Sequence, residues 1–123
     1  MPVFTRFRDG VLVLTVDGDF TANELRRVAF GAFHEDGTPR VVPVLLDMSG
    51  AAGVRGKSPE QLQAMGAIFG AYRDRIAGLA VVAPADVHQT FERNGHFGEE
   101  AGVEVFAGTT HSDARKWLAD RSA

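Results

Sequence analysis

The chain has 123 residues, of which 45% are hydrophobic and 24% are charged, and its formal net charge is −3 at pH 7. This length suits one domain, 1–123, and no apolar run is long enough to span a bilayer. The absence of cysteine excludes disulfides, thiol catalysis and thiolate metal sites. The slightly acidic charge balance argues against nucleic-acid partners and membrane insertion. The first residues lack a secretory signal, so we expect a cytoplasmic location.

The first fifty residues predict a hairpin, a helix and a buried strand. Runs of β-forming residues at 3–7 and 11–16 flank the Asp-Gly dipeptide at 9–10, which is typical of a tight primed turn. The segment Thr-Ala-Asn-Glu at 21–24 has the pattern of a capping box, so a helix is predicted to begin there. The apolar run at 41–46 then predicts a strand that is covered on both faces.

The rest of the chain predicts alternating helices and strands. After a loop at 48–57, the Ser-Pro-Glu-Gln segment at 58–61 predicts a helix to about Arg75, with Ile76 completing its buried stripe. The remaining predicted elements are a strand at 79–83, a helix opening at 86–89, a strand at 103–106 and a helix after Thr110. This order implies an α/β fold, with an N-terminal β-hairpin and a mixed, mostly parallel sheet of about five strands with about four helices.

Two glycines of the second predicted helix suggest a close contact with another helix. Gly66 and Gly70 lie about one turn apart, and each costs about 1 kcal/mol of helix stability relative to alanine. Such a cost indicates a packing or interface reason for their presence. We interpret the apolar face around them as the surface on which two copies of the chain form a homodimer.

Ligands of alternating α/β folds usually bind beyond the carboxyl ends of the strands. The residues predicted at this edge include Asp47, His88 and His111, which are candidates for the rim of a ligand pocket. In the loop before the second helix, Ala-Ala-Gly-Val-Arg-Gly-Lys-Ser at 51–58 matches a loose form of the phosphate-binding loop. The simpler interpretation is a glycine-rich loop that ends in a helix cap, and the alternative is that Gly53–Ser58 binds an anion or a nucleotide. The candidate phosphorylation or anion-binding residues are Ser49, Arg55, Lys57 and Ser58.

No catalytic motif is complete in this sequence. The carboxylates of Asp17, Asp19 and Asp47 suit a phosphoacceptor site of the response-regulator type, but Ala83 stands where such a site needs a hydroxyl. The four histidines form no helical pair for a metal, and neither Ser49 nor Ser58 has the Gly-x-Ser-x-Gly context of a nucleophile. We therefore expect a protein without enzymatic activity, cofactor or metal.

Four segments together resemble the SpoIIAA-like branch of the STAS superfamily, often called STAS/SEC14 domains. They are Val-Asp-Gly-Asp-Phe-Thr at 16–21, Val-Leu-Leu-Asp-Met-Ser-Gly at 44–50, Val-Glu-Val-Phe at 103–106 and Ala-x-x-Trp-Leu at 114–118. The resemblance covers nearly the whole chain and depends on the order and spacing of the segments. It implies an α/β fold with a mixed sheet and a regulatory role in which a protein partner is bound.

The resemblance also implies two finer expectations. Better-known relatives are anti-sigma-factor antagonists that are switched by serine phosphorylation, and Ser58 occupies the matching helix start without their Asp-Ser-x-Gly box. The SEC14 part of the name implies an apolar small-molecule or lipid pocket. The aromatic residues that could line such a pocket, or could simply form core, are Phe69, Tyr72, Phe91 and Trp117.

Overall fold

A five-stranded mixed sheet forms the centre of the computed structural model, which describes residues 3–18, 20–50, 59–85 and 102–121. The strands lie side by side in chain order; β1 is antiparallel to β2, and all other neighbours are parallel. The strands are β1 Val3–Arg8, β2 Val11–Asp17, β3 Val42–Gly50, β4 Ile76–Val82 and β5 Val105–Gly108. The helices are α1 Ala22–Phe33, α2 Pro59–Gly70 and α3 His111–Arg121. The predicted α/β class and mostly parallel five-stranded sheet are confirmed.

The opening hairpin and the first helix start as their local sequences predict. Asp9 and Gly10 both have positive φ, at 54° and 80°, as a primed turn requires. At the start of α1, the Thr21 hydroxyl oxygen accepts a hydrogen bond from the Glu24 amide at 3.1 Å. The Thr21 hydroxyl also donates a hydrogen bond to the Glu24 carboxylate at 3.1 Å, so the two side chains contact each other directly. The predicted hairpin and helix cap are therefore confirmed.

The sheet is covered on both faces, but by different helices. Alternate residues of β3 point to opposite faces, so Val44 and Leu46 pack toward α1 and α2 whereas Leu45 packs toward α3. This arrangement explains why the central strands read as continuous apolar runs. Helix α3 packs on β3, β4 and β5 through Ala114 and Leu118. The predicted helix after Thr110 is thus confirmed.

Three strands, β3, β4 and β5, have boundaries that differ from the sequence prediction by two residues or more. Strand β3 continues to Gly50, although Met48 was expected to begin a loop. It continues because β2 runs alongside it as far as Asp17, which pairs with Gly50, and because the Met48 side chain is fully buried. Strand β5 comprises Val105–Gly108, two residues later than predicted.

The second helix is shorter than its apolar periodicity predicts. Helix α2 ends at Gly70, and a single 3-10 turn, Arg73–Arg75, separates it from β4. Glycine is a weak helix former, and a β-branched residue such as Ile76 suits a strand. Ile76 accordingly begins β4 and pairs with Val42. The prediction that Ile76 completes the buried stripe of the second helix is therefore wrong.

The described residues contain three α-helices, whereas about four were expected. The predicted helix that opens at 86–89 falls on residues outside the described part of the chain. Gly66 and Gly70 are both buried within the domain, so the face predicted to form a dimer is not an exposed surface. Their burial gives the two glycines a packing role inside the fold, and the homodimer itself stays a prediction.

Arg75 connects the turn before β4 to the end of α1. Its guanidinium donates to the backbone carbonyls of Phe33 at 2.8 Å, Arg40 at 2.6 Å and Pro39 at 3.3 Å. The same group lies 5.5 Å from the centre of the Phe33 ring. One side chain thus satisfies the last carbonyl of α1, where the helix itself provides no donor, and two carbonyls of the segment before β3.

Candidate functional site

The polar site of the molecule lies at the carboxyl end of β3. Between Thr15 and Asp17 the pairing of β2 with β3 shifts register, because the segment from Asp47 to Gly50 is one residue longer than its partner. Asp47 bends back at this irregularity, and its Oδ1 accepts hydrogen bonds from the Ser49 amide at 2.9 Å and the Ser49 hydroxyl at 2.5 Å. Aspartate readily forms this local turn with the residue two positions later.

Helix α3 brings a histidine to the same carboxylate. The Thr110 hydroxyl accepts from the Asp113 amide at 3.2 Å, which caps the helix and places His111 in its first turn. His111 Nε2 lies 2.7 Å from Asp47 Oδ2 and donates its proton to that oxygen. The Asp47 side chain is only 13% exposed, whereas that of His111 is 45% exposed. Two residues that are 64 positions apart in the sequence therefore share one partly buried hydrogen bond.

These contacts keep Asp47 ionised. Burial raises the pKa of the Asp47 carboxyl, but hydrogen bonds from the Ser49 hydroxyl, from the Ser49 amide and from His111 outweigh it, together with the attraction to His111. The pKa of Asp47 consequently lies below its usual value. A carboxylate with such a pKa is a hydrogen-bond acceptor and a weak base.

A groove of about 560 Å³ adjoins this site on the α3 face of the sheet. It lies where β1 and β2 extend beyond α3, and we call it the arginine groove. Its lining residues are Phe4, Thr5, Arg6, Arg8, Val13, Thr15, His111 and Arg115. His111 belongs to both places, because its ring lines the groove and contacts Asp47.

The strand registers divide the groove into two levels. At the upper level, Phe4 pairs with Thr15, and Thr15 pairs with Asp47. At the lower level, Arg6 pairs with Val13. Residues directly opposite one another in neighbouring strands point to the same face. The upper level therefore presents an aromatic ring and a hydroxyl beside the Asp47–His111 pair, and the lower level presents an arginine over an apolar floor.

The groove carries positive charge on a chain whose net charge is negative. Among the described residues, three arginines and no carboxylate line it. Within the described ranges, Arg6 and Arg115 have no carboxylate within ion-pair distance, and Arg8 has only its neighbour Asp9, at 3.8 Å between exposed side chains. Such an exposed pair contributes little energy. The cationic groups of the groove are therefore available to a ligand.

The structure unites only part of the predicted site. It brings together Asp47, Ser49 and His111, whereas Arg55, Lys57, Ser58 and His88 lie outside the described residues. Whether any of these seven residues binds a ligand or a phosphate stays a prediction. At the end of β2, Asp17 lies beside Gly50, where an added Cβ would stand 2.7 Å from its Oδ1.

The arginine groove was missed because its residues come from three separate elements. The sequence does contain one signal, since Phe4, Arg6 and Arg8 alternate along β1 and so share a face. A second signal is the spacing of four between His111 and Arg115, which places both on one side of a helix. Neither signal indicates that the two faces meet.

The aromatic residues proposed for an apolar pocket lie on opposite sides of the sheet. Phe69 belongs to α2 and is fully buried in the core between the sheet and helices α1 and α2. Tyr72 lies on the same side of the sheet, where its ring stacks on that of Phe33 with 4.5 Å between the ring centres. Trp117 stacks on Phe106 at 5.6 Å on the α3 side. These three side chains therefore cannot line one common pocket, and Phe91 lies outside the described residues.

Comparison with solved structures identifies the fold. The chain is similar to the crystal structure of an uncharacterised protein of the DUF3478 family from Shewanella loihica PV-4, which has a SpoIIAA-like fold. The TM-score is 0.62 at 14% identity, and the match covers 94% of this chain and 91% of the other. This chain has a SpoIIAA-like fold. The resemblance found in the sequence is thereby confirmed at the level of the fold. The sequence matches no family model and no curated protein.

Two further properties of the SpoIIAA-like chain concern metals and membranes. Among its described residues, no three acidic or histidine side chains come together in a way that could hold a metal ion. Over the same residues, no helix has both the length and the apolar character needed to cross a membrane.

Proposed function

We propose that this SpoIIAA-like chain is a non-enzymatic binding domain that takes a small molecule into the arginine groove. The observation that carries the proposal is the groove itself, whose 560 Å³ falls within the range of about 300–1,000 Å³ typical of small-molecule sites. Its lining combines an apolar floor with a few charged and hydroxyl groups, as ligand sites generally do. It also lies beside the carboxyl end of the strands, where ligands of α/β folds bind.

The order of contacts at Asp47 supports the absence of catalysis. In a serine hydrolase the imidazole contacts the serine hydroxyl and accepts its proton, and the carboxylate orients the imidazole from behind. Here the carboxylate of Asp47 lies in the middle and accepts from Ser49 and His111 through its two oxygens. An ionised carboxylate with a lowered pKa is a poor base for a serine hydroxyl. This arrangement suits the shaping of a groove wall better than the activation of Ser49.

Nuclear magnetic resonance with a small-fragment library tests the proposal. Fragments of mixed charge are titrated into ¹⁵N-labelled protein, and we expect shifts of the backbone amides of Val13, Thr15 and His111. Thr15→Trp fills the upper level of the groove and should abolish these shifts. Ala67→Trp adds the same side chain at an exposed position of α2, on the other side of the sheet, and should leave them intact.

Two results would contradict the proposal. If no fragment at millimolar concentration shifts the groove amides, or if Thr15→Trp binds as well as wild type, the groove is not the binding site. Covalent labelling of Ser49 by a fluorophosphonate would show an activated serine and would refute the non-enzymatic part.

A further inference from the structure

We propose that the ligand of the arginine groove is a small organic anion, with its carboxylate or phosphate between Arg6 and Arg115 and its apolar part against Phe4 and Val13. The inference rests on the proposed function and adds the chemical class of the ligand. It depends on three features of the groove: the placement of its cations, their lack of acidic partners, and the apolar surface between them.

The two arginines approach the groove from opposite walls at the same level. His111 is held at the upper level by Asp47, and Arg115 lies four residues, about 6 Å, further along α3. On β1, Arg6 lies two residues, about 6.8 Å, from Phe4, which marks the upper level through its pairing with Thr15. Because these two distances from the upper level are similar, Arg6 and Arg115 lie on either side of the floor residue Val13, which pairs with Arg6.

The positive charge of the arginine groove favours an anionic ligand. In the part of the chain that the structure describes, neither Arg6 nor Arg115 has an acidic partner, and no acidic side chain lines the groove. Guanidinium groups bind carboxylates and phosphates through paired hydrogen bonds, and they bind more strongly than neutral donors do. A cationic ligand would be repelled by three arginines, and a neutral one would leave their charges uncompensated.

The apolar part of the ligand follows from the other lining residues. Phe4 is 52% exposed, so about half of its apolar surface is open to solvent beside the groove. It lies beside Thr15 and one level above the apolar floor at Val13. A ligand with an apolar group next to its acidic group would cover this ring while its anion contacts the arginines. Inorganic phosphate alone would contact the arginines but not the apolar surface of Phe4 and Val13.

Matched probes separate charge from shape. We would measure dissociation constants by NMR titration for 3-phenylpropionate, 3-phenyl-1-propanol, 3-phenylpropylamine, phenyl phosphate and inorganic phosphate. Both phenyl anions should bind at least about tenfold more tightly than the alcohol, and the amine should not bind. Phenyl phosphate should bind more tightly than inorganic phosphate, because its ring contacts the apolar surface. Comparison of 3-phenylpropionate with phenyl phosphate then indicates whether the acidic group of the ligand is a carboxylate or a phosphate.

Variants test the assignment of the arginines. Arg6→Gln and Arg115→Gln should each weaken anion binding about tenfold and leave alcohol binding unchanged. Arg27→Gln removes an exposed arginine of α1 and should have no effect. Arg6→Lys and Arg115→Lys keep the charge and should lose less affinity than the glutamine variants, which guards against a variant that fails to fold.

The outcomes also distinguish the inference from the proposed function. If the alcohol binds in the groove as tightly as 3-phenylpropionate, the anion class is wrong and the groove remains a binding site. If anions bind equally well to Arg6→Gln, Arg115→Gln and wild type, the assignment of the arginines is overturned. If no probe shifts the groove amides, the inference and the proposed function both fail.

Discussion

Replacing Asp47 by asparagine tests the polar site directly. The exchange keeps the shape of the side chain and one carbonyl oxygen for Ser49, but it removes the charge that the Ser49 hydroxyl, the Ser49 amide and His111 stabilise. Hydrogen bonds to a charged group contribute about 1.5–3 kcal/mol each when they are well shielded. Ser49 and His111 are exposed, so we expect Asp47→Asn to lose about 1–2 kcal/mol of unfolding free energy in total.

The pH dependence of this loss has a definite sign. The pKa of Asp47 is lowered in the folded protein, so the unfolded chain takes up the proton first as the pH falls. The stabilisation is therefore fully present above the ordinary aspartate pKa of about 3.9 and disappears as the pH falls through the folded-state pKa. The difference between wild type and Asp47→Asn should therefore shrink as the pH falls below about 4.

Urea unfolding at half-unit steps from pH 3 to 7 measures this difference. Asp36→Asn is the matched control, because Asp36 is an exposed carboxylate that makes no hydrogen bond or ion pair with any described residue. Its curve should follow that of wild type within about 0.5 kcal/mol. If Asp47→Asn is as stable as wild type at pH 7, or if its deficit does not shrink below about pH 4, the Ser49 and His111 contacts do not stabilise the carboxylate.

Three other substitutions test the packing. Gly108→Ala would place a Cβ 2.7 Å from the Phe106 ring, so we expect a loss of about 1–3 kcal/mol and altered fluorescence of the single tryptophan, Trp117, which stacks on that ring. Gly37→Ala, with nothing within 4 Å, is its control. Trp117→Ala should lose about 2–3 kcal/mol in urea unfolding, because the ring is half-buried; a loss below 1 kcal/mol would contradict its packing role. Arg75→Met should lose about 1–3 kcal/mol by removing donors to three carbonyls, and Arg75→Lys should restore only part of it.

Features encoded by a few adjacent residues were predictable from the sequence. The turn at Asp9 and Gly10 and the cap at Thr21 each depend on residues within four positions of one another, and the structure has both. The end of α2 was not predictable in this way. Ile76 continues the helical spacing of apolar residues, and only its pairing with Val42 in the sheet shows that it belongs to a strand.

The candidate site was only partly predictable for the same reason. Topology placed Asp47 and His111 at one edge of the sheet, so their proximity could be expected, but the hydrogen bond between them requires the actual position of α3. The arginine groove is formed by residues that are even further apart in the sequence. Arg6 and Arg115 are 109 positions apart, and which face of β1 lies beside α3 follows only from the assembled sheet.

The topology of the sheet explains why the groove exists. The connections from β2 to β3 and from β3 to β4 contain α1 and α2, which pack on one face of the sheet, whereas α3 packs on the other, as crossovers of one hand require. Five strands spaced about 4.8 Å apart span about 19 Å, whereas one helix covers about 10 Å. Of the three described helices, α3 packs on this face, and it contacts β3 to β5, so it leaves this face of β1 and β2 uncovered. The position of α3 thus accounts for an open surface there but not for a positively charged one. Replacing Arg6 or Arg115 should accordingly weaken anion binding while changing the unfolding free energy by less than about 0.5 kcal/mol.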